Sequence, residues 1–151
     1  MLATEILIQD HRQAISLVEQ LEGVRSDERG NRETFRDLKA ALELHMREEE
    51  EIFYPALAEH DEFSDLIEEN VPEHQMVRAN LAQMSEMSPG DATFQTLLTE
   101  TKIALETHME NEESEIFPRS IELFGEERIN ELGNQIDQMK GDAGLSRSAR
   151  I

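Results

Sequence analysis

The stretches ALELHMREEE, at residues 41–50, and ALETHMENEE, at residues 104–113, are near-copies of each other that lie 63 positions apart. The same shift places His11 on His74 and Pro55 on Pro118. Self-similarity of this kind is typical of a domain built from copies of one structural unit. Because both stretches are rich in Ala, Leu, Met and Glu, which favour helix, each copy is predicted to be helical.

Apolar side chains recur at helical spacing on both sides of these stretches. Phe35, Leu38, Leu42, His45 and Glu49 follow alternating steps of three and four, which places a histidine and a glutamate on the inner face of a helix. Breaks rich in Gly, Pro and Ser separate the helical segments. Four of these segments are long and a fifth is shorter, at roughly 4–23, 31–59, 64–87, 92–123 and 126–139.

The predicted fold is all-α. Short connections between long helices favour antiparallel neighbours, which indicates an antiparallel up-down-up-down four-helix bundle made of two repeated helical hairpins, plus a short C-terminal helix. We expect the bundle to occupy residues 1–124, the additional C-terminal helix residues 125–140, and a flexible tail residues 141–151.

Composition excludes several classes of protein. The chain carries 34 acidic and 14 basic residues among 151, a formal net charge of −20, so that phosphate backbones would repel it and no nucleic-acid partner is expected. Cysteine is absent, which excludes thiolate metal sites and iron–sulfur clusters. No apolar run reaches the roughly 18 residues of a membrane span, and charges interrupt the N-terminal run too early for a signal peptide. We therefore expect a cytoplasmic protein without a membrane partner.

Each predicted inner face carries one histidine; these are His11, His45, His74 and His108. His45 and Glu49 are four residues apart, as are His108 and Glu112, so both members of each pair project from one face of their helix. Helix lengths within each hairpin bring the four histidines to nearly the same level. The pattern therefore predicts that four imidazoles and two carboxylates converge inside the bundle.

This cluster favours metal binding over a purely structural role. A single His-x-x-x-Glu is usually a solvated pair, and a lone core histidine usually has a protein partner, but repetition at matched positions argues against both interpretations. Burying two carboxylates costs several kcal/mol each unless a cation compensates them. Only one basic residue, Arg78, lies near the inner register at this level. Imidazole and carboxylate ligands suit iron, manganese or zinc, and two equivalent His–His–Glu sets suggest two ions.

The order His, His-x-x-x-Glu, His, His-x-x-x-Glu, with Ile-Phe-Tyr-Pro at 52–55 and Ile-Phe-Pro at 116–118, resembles the hemerythrin-like family, the HHE cation-binding domain. The similarity covers roughly residues 5–122. It implies a four-helix bundle with a non-haem di-iron centre, two iron ions with oxo or hydroxo and carboxylate bridges; manganese and zinc are the alternatives. Carried over by position, the resemblance implies histidine ligands at His11, His45, His74 and His108, and bridging carboxylates at Glu49 and Glu112.

One departure from the family pattern bears on function. Oxygen-carrying hemerythrins have a fifth histidine four residues after the one that matches His74, and this chain has Arg78 there. The difference favours peroxide or dioxygen chemistry over reversible oxygen carriage. Glu115, seven residues after His108, could fill the vacant ligand position or pair with Arg78. Tyr54 is a third candidate, although ideal helix geometry turns it away from His45 unless Pro55 distorts the local turn.

Three functions follow from these observations. The first is a di-iron protein that acts on hydrogen peroxide or a related small oxidant, with catalase- or peroxidase-like activity if it turns over. The second is a non-catalytic protein that binds oxygen, nitric oxide or iron as a sensor, carrier or store. The third, a bundle without metal, conflicts with the burial of two carboxylates. The sequence leaves the substrate, the native metal and the oligomeric state open.

Overall fold

The computed structural model describes residues 1–144, which contain helices and no strand. The helices are α1 (Ala3–Leu21), α2 (Arg29–Glu48), α3 (Tyr54–Leu57), α4 (Ser64–Met84), α5 (Ala92–Asn111) and α6 (Phe117–Asp142). Two π-helical segments, Glu49–Phe53 and Glu112–Ile116, join α2 to α3 and α5 to α6, and a 3₁₀ turn at Asp61–Phe63 precedes α4.

These elements form the predicted helical bundle. α1 packs against α2 in the first hairpin, and α4 packs against α5 in the second. α1 also contacts α5, while α2 contacts α4, which joins the two hairpins. The all-α class and the bundle architecture are therefore confirmed. None of the helices within residues 1–144 has both the length and the apolar character that a bilayer span requires.

The interior contains two apolar cores at different levels of the bundle. The lower core, which includes Leu38, Leu81 and Leu98, lies toward the ends of the helices that carry the loops after α1 and α4. The upper core includes Leu7, Phe53 and Phe117. In α1 and α4 the predicted ligand histidines fall between residues of the two cores, and in α2 and α5 they lie beside the last lower-core residue.

The C-terminal helix is part of the upper core and is longer than the sequence suggested. α6 continues from the fourth bundle helix across a kink at Gly125, whose φ of 81° and ψ of 158° are accessible to glycine because it lacks a Cβ. Beyond the kink, Ile129, Leu132 and Ile136 are buried against the bundle. The helix ends at Asp142, so the first two residues of the predicted tail are helical. Residues 145–151, the rest of that tail, lie outside the described residues.

Candidate metal centre

The six side chains predicted to bind metal form a buried polar layer between the two apolar cores. The two glutamates, Glu49 and Glu112, are 0% exposed. The four histidines are between 2% and 6% exposed. The structure therefore brings together the complete repeated set, contributed by α1, α2, α4, α5 and the first residue of each π-helical segment.

Within this layer the side chains form two adjoining groups that can hold metal. One comprises His11, His45, Glu49 and Glu112, and the other comprises Glu49, His74 and His108. In each group the ligand atoms lie within 4.8 Å of one another. Because Glu49 belongs to both groups, the two positions are adjacent and share a carboxylate. Two adjacent groups of this kind suggest a di-metal binding site.

Short distances connect the two hairpins through the glutamates. Glu112 Oε1 lies 3.1 Å from His11 Nε2 and 3.3 Å from His108 Nε2. Glu49 Oε1 lies 3.1 Å from His74 Nε2 and 3.5 Å from His45 Nε2. Each carboxylate thus contacts histidines of both hairpins, which is the geometry a bridging ligand needs.

Several buried polar atoms of this layer make no hydrogen bond within residues 1–144. Glu49 Oε2 has no hydrogen-bond partner, and His45 Nε2 and His74 Nε2 lie close to Glu49 Oε1 without forming a hydrogen bond to it. Buried polar atoms in native proteins are nearly always paired, because an unpaired one costs free energy. A cation among the converging nitrogens and oxygens would satisfy them. The donor set of imidazoles and carboxylates fits iron, manganese or zinc.

Each of the four histidines also contacts an acidic side chain through Nδ1, the ring nitrogen that faces away from the centre of the layer. All four Nδ1 atoms contact a carboxylate, which turns every Nε2 toward the centre, as is usual for histidines that bind metal. The four contacts are His11 with Glu113 at 2.9 Å, His45 with Asp10 at 3.1 Å, His74 with Glu50 at 2.7 Å and His108 with Glu73 at 2.6 Å.

Sequence reasoning missed these four outer carboxylates, although the repeat contained a signal for them. A shift of 63 places Asp10 on Glu73 and Glu50 on Glu113. The outer carboxylates therefore obey the same internal symmetry as the ligands. Acidic residues on a helix surface are often only solvated, and Glu50, Glu73 and Glu113 are partly exposed, at 31%, 38% and 39%.

Asp10 differs from the other outer carboxylates because it is buried with a lysine. Its side chain is 4% exposed and accepts hydrogen bonds from Lys140 Nζ at 2.9 and 3.1 Å. The same ammonium group lies 2.6 Å from Glu48 Oε2, and both Lys140 and Glu48 are 0% exposed. Burial and the hydrogen bond with Asp10 raise the pKa of Glu48 to about 9. Burial opposes ionisation of Asp10 too, but contacts with His45, Glu48 and Lys140 lower its pKa.

The π-helical segments explain why Tyr54 reaches the site. Nine residues of regular α-helix turn through about two and a half revolutions, which would put Tyr54 on the face opposite His45. The wider turns at Glu49–Phe53 absorb an extra residue and rotate the following helix, so that Tyr54 points inward and is 3% exposed. Its Oη donates a hydrogen bond to Glu112 Oε2 at 2.8 Å and lies 3.1 Å from Glu49 Oε1.

The repeat places Phe117 opposite Tyr54. Both follow a π-helical segment, and each ring stacks on a ligand histidine of the other hairpin: Tyr54 on His74 and Phe117 on His11, both at 5.9 Å between ring centroids. At this position the two halves of the site differ by one hydroxyl group. Asn70 Nδ2 donates to that hydroxyl at 3.0 Å.

The structure places Glu115 and Arg78 outside the layer. Glu115 is exposed, because the π-helical segment at Glu112–Ile116 shifts the register and turns Ile116 and Phe117 inward instead. The expectation that Glu115 fills a ligand position or pairs with Arg78 is therefore wrong. Arg78 is 37% exposed and donates two hydrogen bonds of 2.8 Å to Glu50. It touches the site only through the outer carboxylate of His74.

In the metal-free chain the buried carboxylates hold protons on the histidines. Burial alone would lower the pKa of His108, but hydrogen bonds with Glu112 and Glu49 outweigh that effect and raise it to about 11. The pKa values of His11 and His74 are also raised, by Glu112 and Glu49 respectively against the effect of burial. Since metal ligands must be deprotonated, binding at this site is expected to release protons.

Two spaces adjoin the polar layer. A surface groove of about 730 Å³ runs between α1 and α5, with His11 and Glu113 in its wall. A much smaller cavity, of about 20 Å³, lies inside the bundle. Its walls include His45, His74 and His108 together with the apolar side chains of Met46, Val77, Leu105 and Met109.

Comparison with known proteins agrees with this geometry. The sequence profile of the Hemerythrin HHE cation binding domain matches residues 2–120, which is most of the chain. No curated protein and no solved structure gives a significant match. The matched range contains all six side chains of the polar layer and ends shortly after the second π-helical segment. The chain belongs to the hemerythrin HHE cation-binding domain family.

Proposed function

We propose that this protein binds two iron ions in the polar layer and uses them to convert a small oxidant, hydrogen peroxide or dioxygen. One ion would be held by His11, His45 and the two glutamates, and the other by His74, His108 and Glu49. The grouping of the ligand atoms supports this assignment. Contacts of Glu49 and Glu112 with histidines of both hairpins support their role as bridges.

The observation that carries the proposal is the small cavity beside the ligand histidines. Its volume of about 20 Å³ has room for one or two molecules of the size of water. A space of this size suits a ligand of two to four atoms. Apolar side chains, Val77 and Leu105 among them, line it together with the three histidines and Glu73.

Tyr54 supplies the proton donor that such chemistry requires. When bound, the iron pair would exchange electrons with the oxidant. Tyr54 holds a proton on Oη between the two glutamates, while Asn70 fixes the orientation of the hydroxyl. Burial and the nearby carboxylates raise the pKa of Tyr54 well above its usual value, so the phenol stays protonated at neutral pH. A positioned acid within hydrogen-bond distance of the ligands can deliver a proton as the oxygen–oxygen bond is cleaved.

The position of Arg78 supports oxidant chemistry over reversible oxygen carriage. Arg78 stands where the oxygen carriers are expected to have their fifth histidine, and its guanidinium group is engaged with Glu50. The remaining histidine of the chain, His60, is exposed. Each ion would therefore have two histidines, and neither would be saturated by a third.

The test loads the chain with ferrous iron without oxygen and then adds dioxygen or hydrogen peroxide. We expect close to two irons per chain, a visible spectrum that changes with oxidant, and either oxygen evolution from peroxide or peroxide consumption with an added reductant. His74→Ala should lose iron and turnover, whereas His60→Ala, a histidine outside the layer, should keep both. A stable, reversible oxygen complex that is inert toward peroxide would favour a binding or sensing protein instead. A wild-type chain that takes up no iron would refute the proposal.

A further inference from the structure

The buried lysine of the C-terminal helix is the least expected feature of the site. Lys140 lies beyond the range matched by the family, which ends at residue 120, and it is completely buried. A buried ammonium group requires compensation, because its transfer from water costs several kcal/mol. Its partners are Asp10 and Glu48, both buried and both on helices that carry metal-binding histidines. The ammonium group of Lys140 therefore faces the candidate metal centre and not solvent.

A chain of contacts leads from this lysine to one ligand. Lys140 Nζ holds both oxygens of Asp10, at 2.9 and 3.1 Å, and Asp10 Oδ2 in turn lies 3.1 Å from His45 Nδ1. Carboxylates that accept a hydrogen bond from a ligand histidine fix its tautomer and ring orientation. The carboxylate of Asp10 cannot rotate away from His45 without leaving the ammonium group.

The second hairpin lacks this device. The repeat places Glu73 at the position of Asp10, and its side chain is 38% exposed. The counterpart of Glu48 is Asn111, which is exposed. His45 and His108 are equivalent in the repeat, yet within residues 1–144 only His45 has an outer carboxylate that is held by a buried cation.

The geometry points to Lys140 as a positioning residue of the metal centre: we propose that it holds Asp10 against His45 and so strengthens the metal position of the first hairpin selectively. The C-terminal helix is then a functional part of the site and not only a cover for the upper core. This inference rests on the proposed metal centre, because it requires His45 to be a ligand.

The test measures stepwise binding of Zn²⁺, which has no redox chemistry, by competition with a chromophoric chelator. The main variant is Glu48→Met with Lys140→Met. It removes the ammonium group together with the buried carboxyl group of Glu48, which would otherwise lose its partner, and Met fills a similar volume at both positions. We expect one of the two binding steps to weaken by about 10–100-fold, the usual effect of losing an outer partner of a ligand histidine, while the other step changes little.

Two single variants separate positioning from helix docking. Asp10→Asn should weaken the same step, and adding it to the double variant should cause little further loss, because both changes act through His45. Ile136→Ala serves as the control. Ile136 is fully buried on the same face of α6, one turn before Lys140, so its truncation loosens the docking of the helix without touching Asp10. It should lower stability but leave both binding steps in place.

A spectroscopic readout covers the case in which affinities are hard to separate. In the zinc-loaded protein the Nδ1 proton of His45 should exchange slowly with water, and it should exchange faster in the double variant. A folded double variant with two wild-type binding steps and an unchanged ring proton would overturn the inference alone. So would equal weakening by Ile136→Ala. A wild-type chain that binds no zinc would instead overturn the metal centre, and the inference with it.

Discussion

The protons held by the metal-free site lead to a measurable dependence of stability on pH. His108 has a pKa of about 11 in the folded, metal-free chain, against about 6.5 when unfolded. Because the folded value is the higher one, the stability contributed by this proton is fully present below about pH 6.5 and is lost as the pH rises toward 11. Between pH 7 and 9 the folded chain binds one proton that the unfolded chain has released.

The expected size follows from that difference of one proton. Each pH unit lowers the free energy of unfolding by about 1.4 kcal/mol, which amounts to about 3 kcal/mol between pH 7 and 9. Glu48, with a pKa of about 9, has the same sign and adds to the decline over most of this interval. Bound metal takes the place of the histidine proton, so the loaded protein should show a shallower decline.

Urea unfolding followed by circular dichroism at pH 7, 8 and 9 would measure this effect, with and without a chelator. His108→Ala should flatten the metal-free curve by about 1.4 kcal/mol per pH unit, whereas His60→Ala, which changes an exposed histidine, should leave the slope unchanged. Calorimetry in buffers of different ionisation enthalpy should also detect proton release when metal binds. Equal slopes for the wild type and His108→Ala, or no release of protons, would refute the reasoning.

Three further substitutions test other parts of the structure. Tyr54→Phe removes the donor to Glu112 but keeps the ring, so metal content should stay near two while turnover of peroxide falls; unchanged turnover would exclude a role for the hydroxyl. Leu38→Ala truncates a fully buried side chain of the lower core and should cost about 2–5 kcal/mol in urea unfolding without changing metal stoichiometry. Gly133→Ala would bring a Cβ into steric overlap with the Met1 carbonyl oxygen and should lower the melting temperature through a cost of about 1–3 kcal/mol. Its control is Gly141→Ala, whose Cβ meets nothing within 4 Å and which should be neutral or slightly stabilising.

The convergence of the six polar side chains could be predicted from the sequence because it depends on a His-x-x-x-Glu spacing that occurs twice and on one histidine in each of four helical stripes. His45 and Glu49 share a face of any regular helix, and their copies at His108 and Glu112 reduce the chance that the pattern is accidental. The bundle follows from the same periodicity together with short connections. These features require no knowledge of contacts between distant residues.

The assignments of Glu115 and Tyr54 failed for one reason, which is that two segments depart from regular α-helix. A regular α-helix places Glu115 on the inner face and Tyr54 on the outer one, and the two π-helical segments reverse both assignments. The residues of these segments have ordinary helix propensities, so the sequence does not predict the wider turns. Lys140 was missed for another reason, because its contact with Asp10 joins residues 130 positions apart and has no copy in the repeat.

The polar layer also separates the apolar interior of residues 1–144 into two distinct clusters of buried side chains, the lower core and the upper core. Without metal, each part can lose its native order separately, because the ionic groups between them gain little from packing. Cations bound in the layer would link the four helices between the two cores, so that the upper and lower cores would unfold as one cooperative unit. Amide hydrogen exchange should then reveal two protection classes in the stripped protein and a single one after loading.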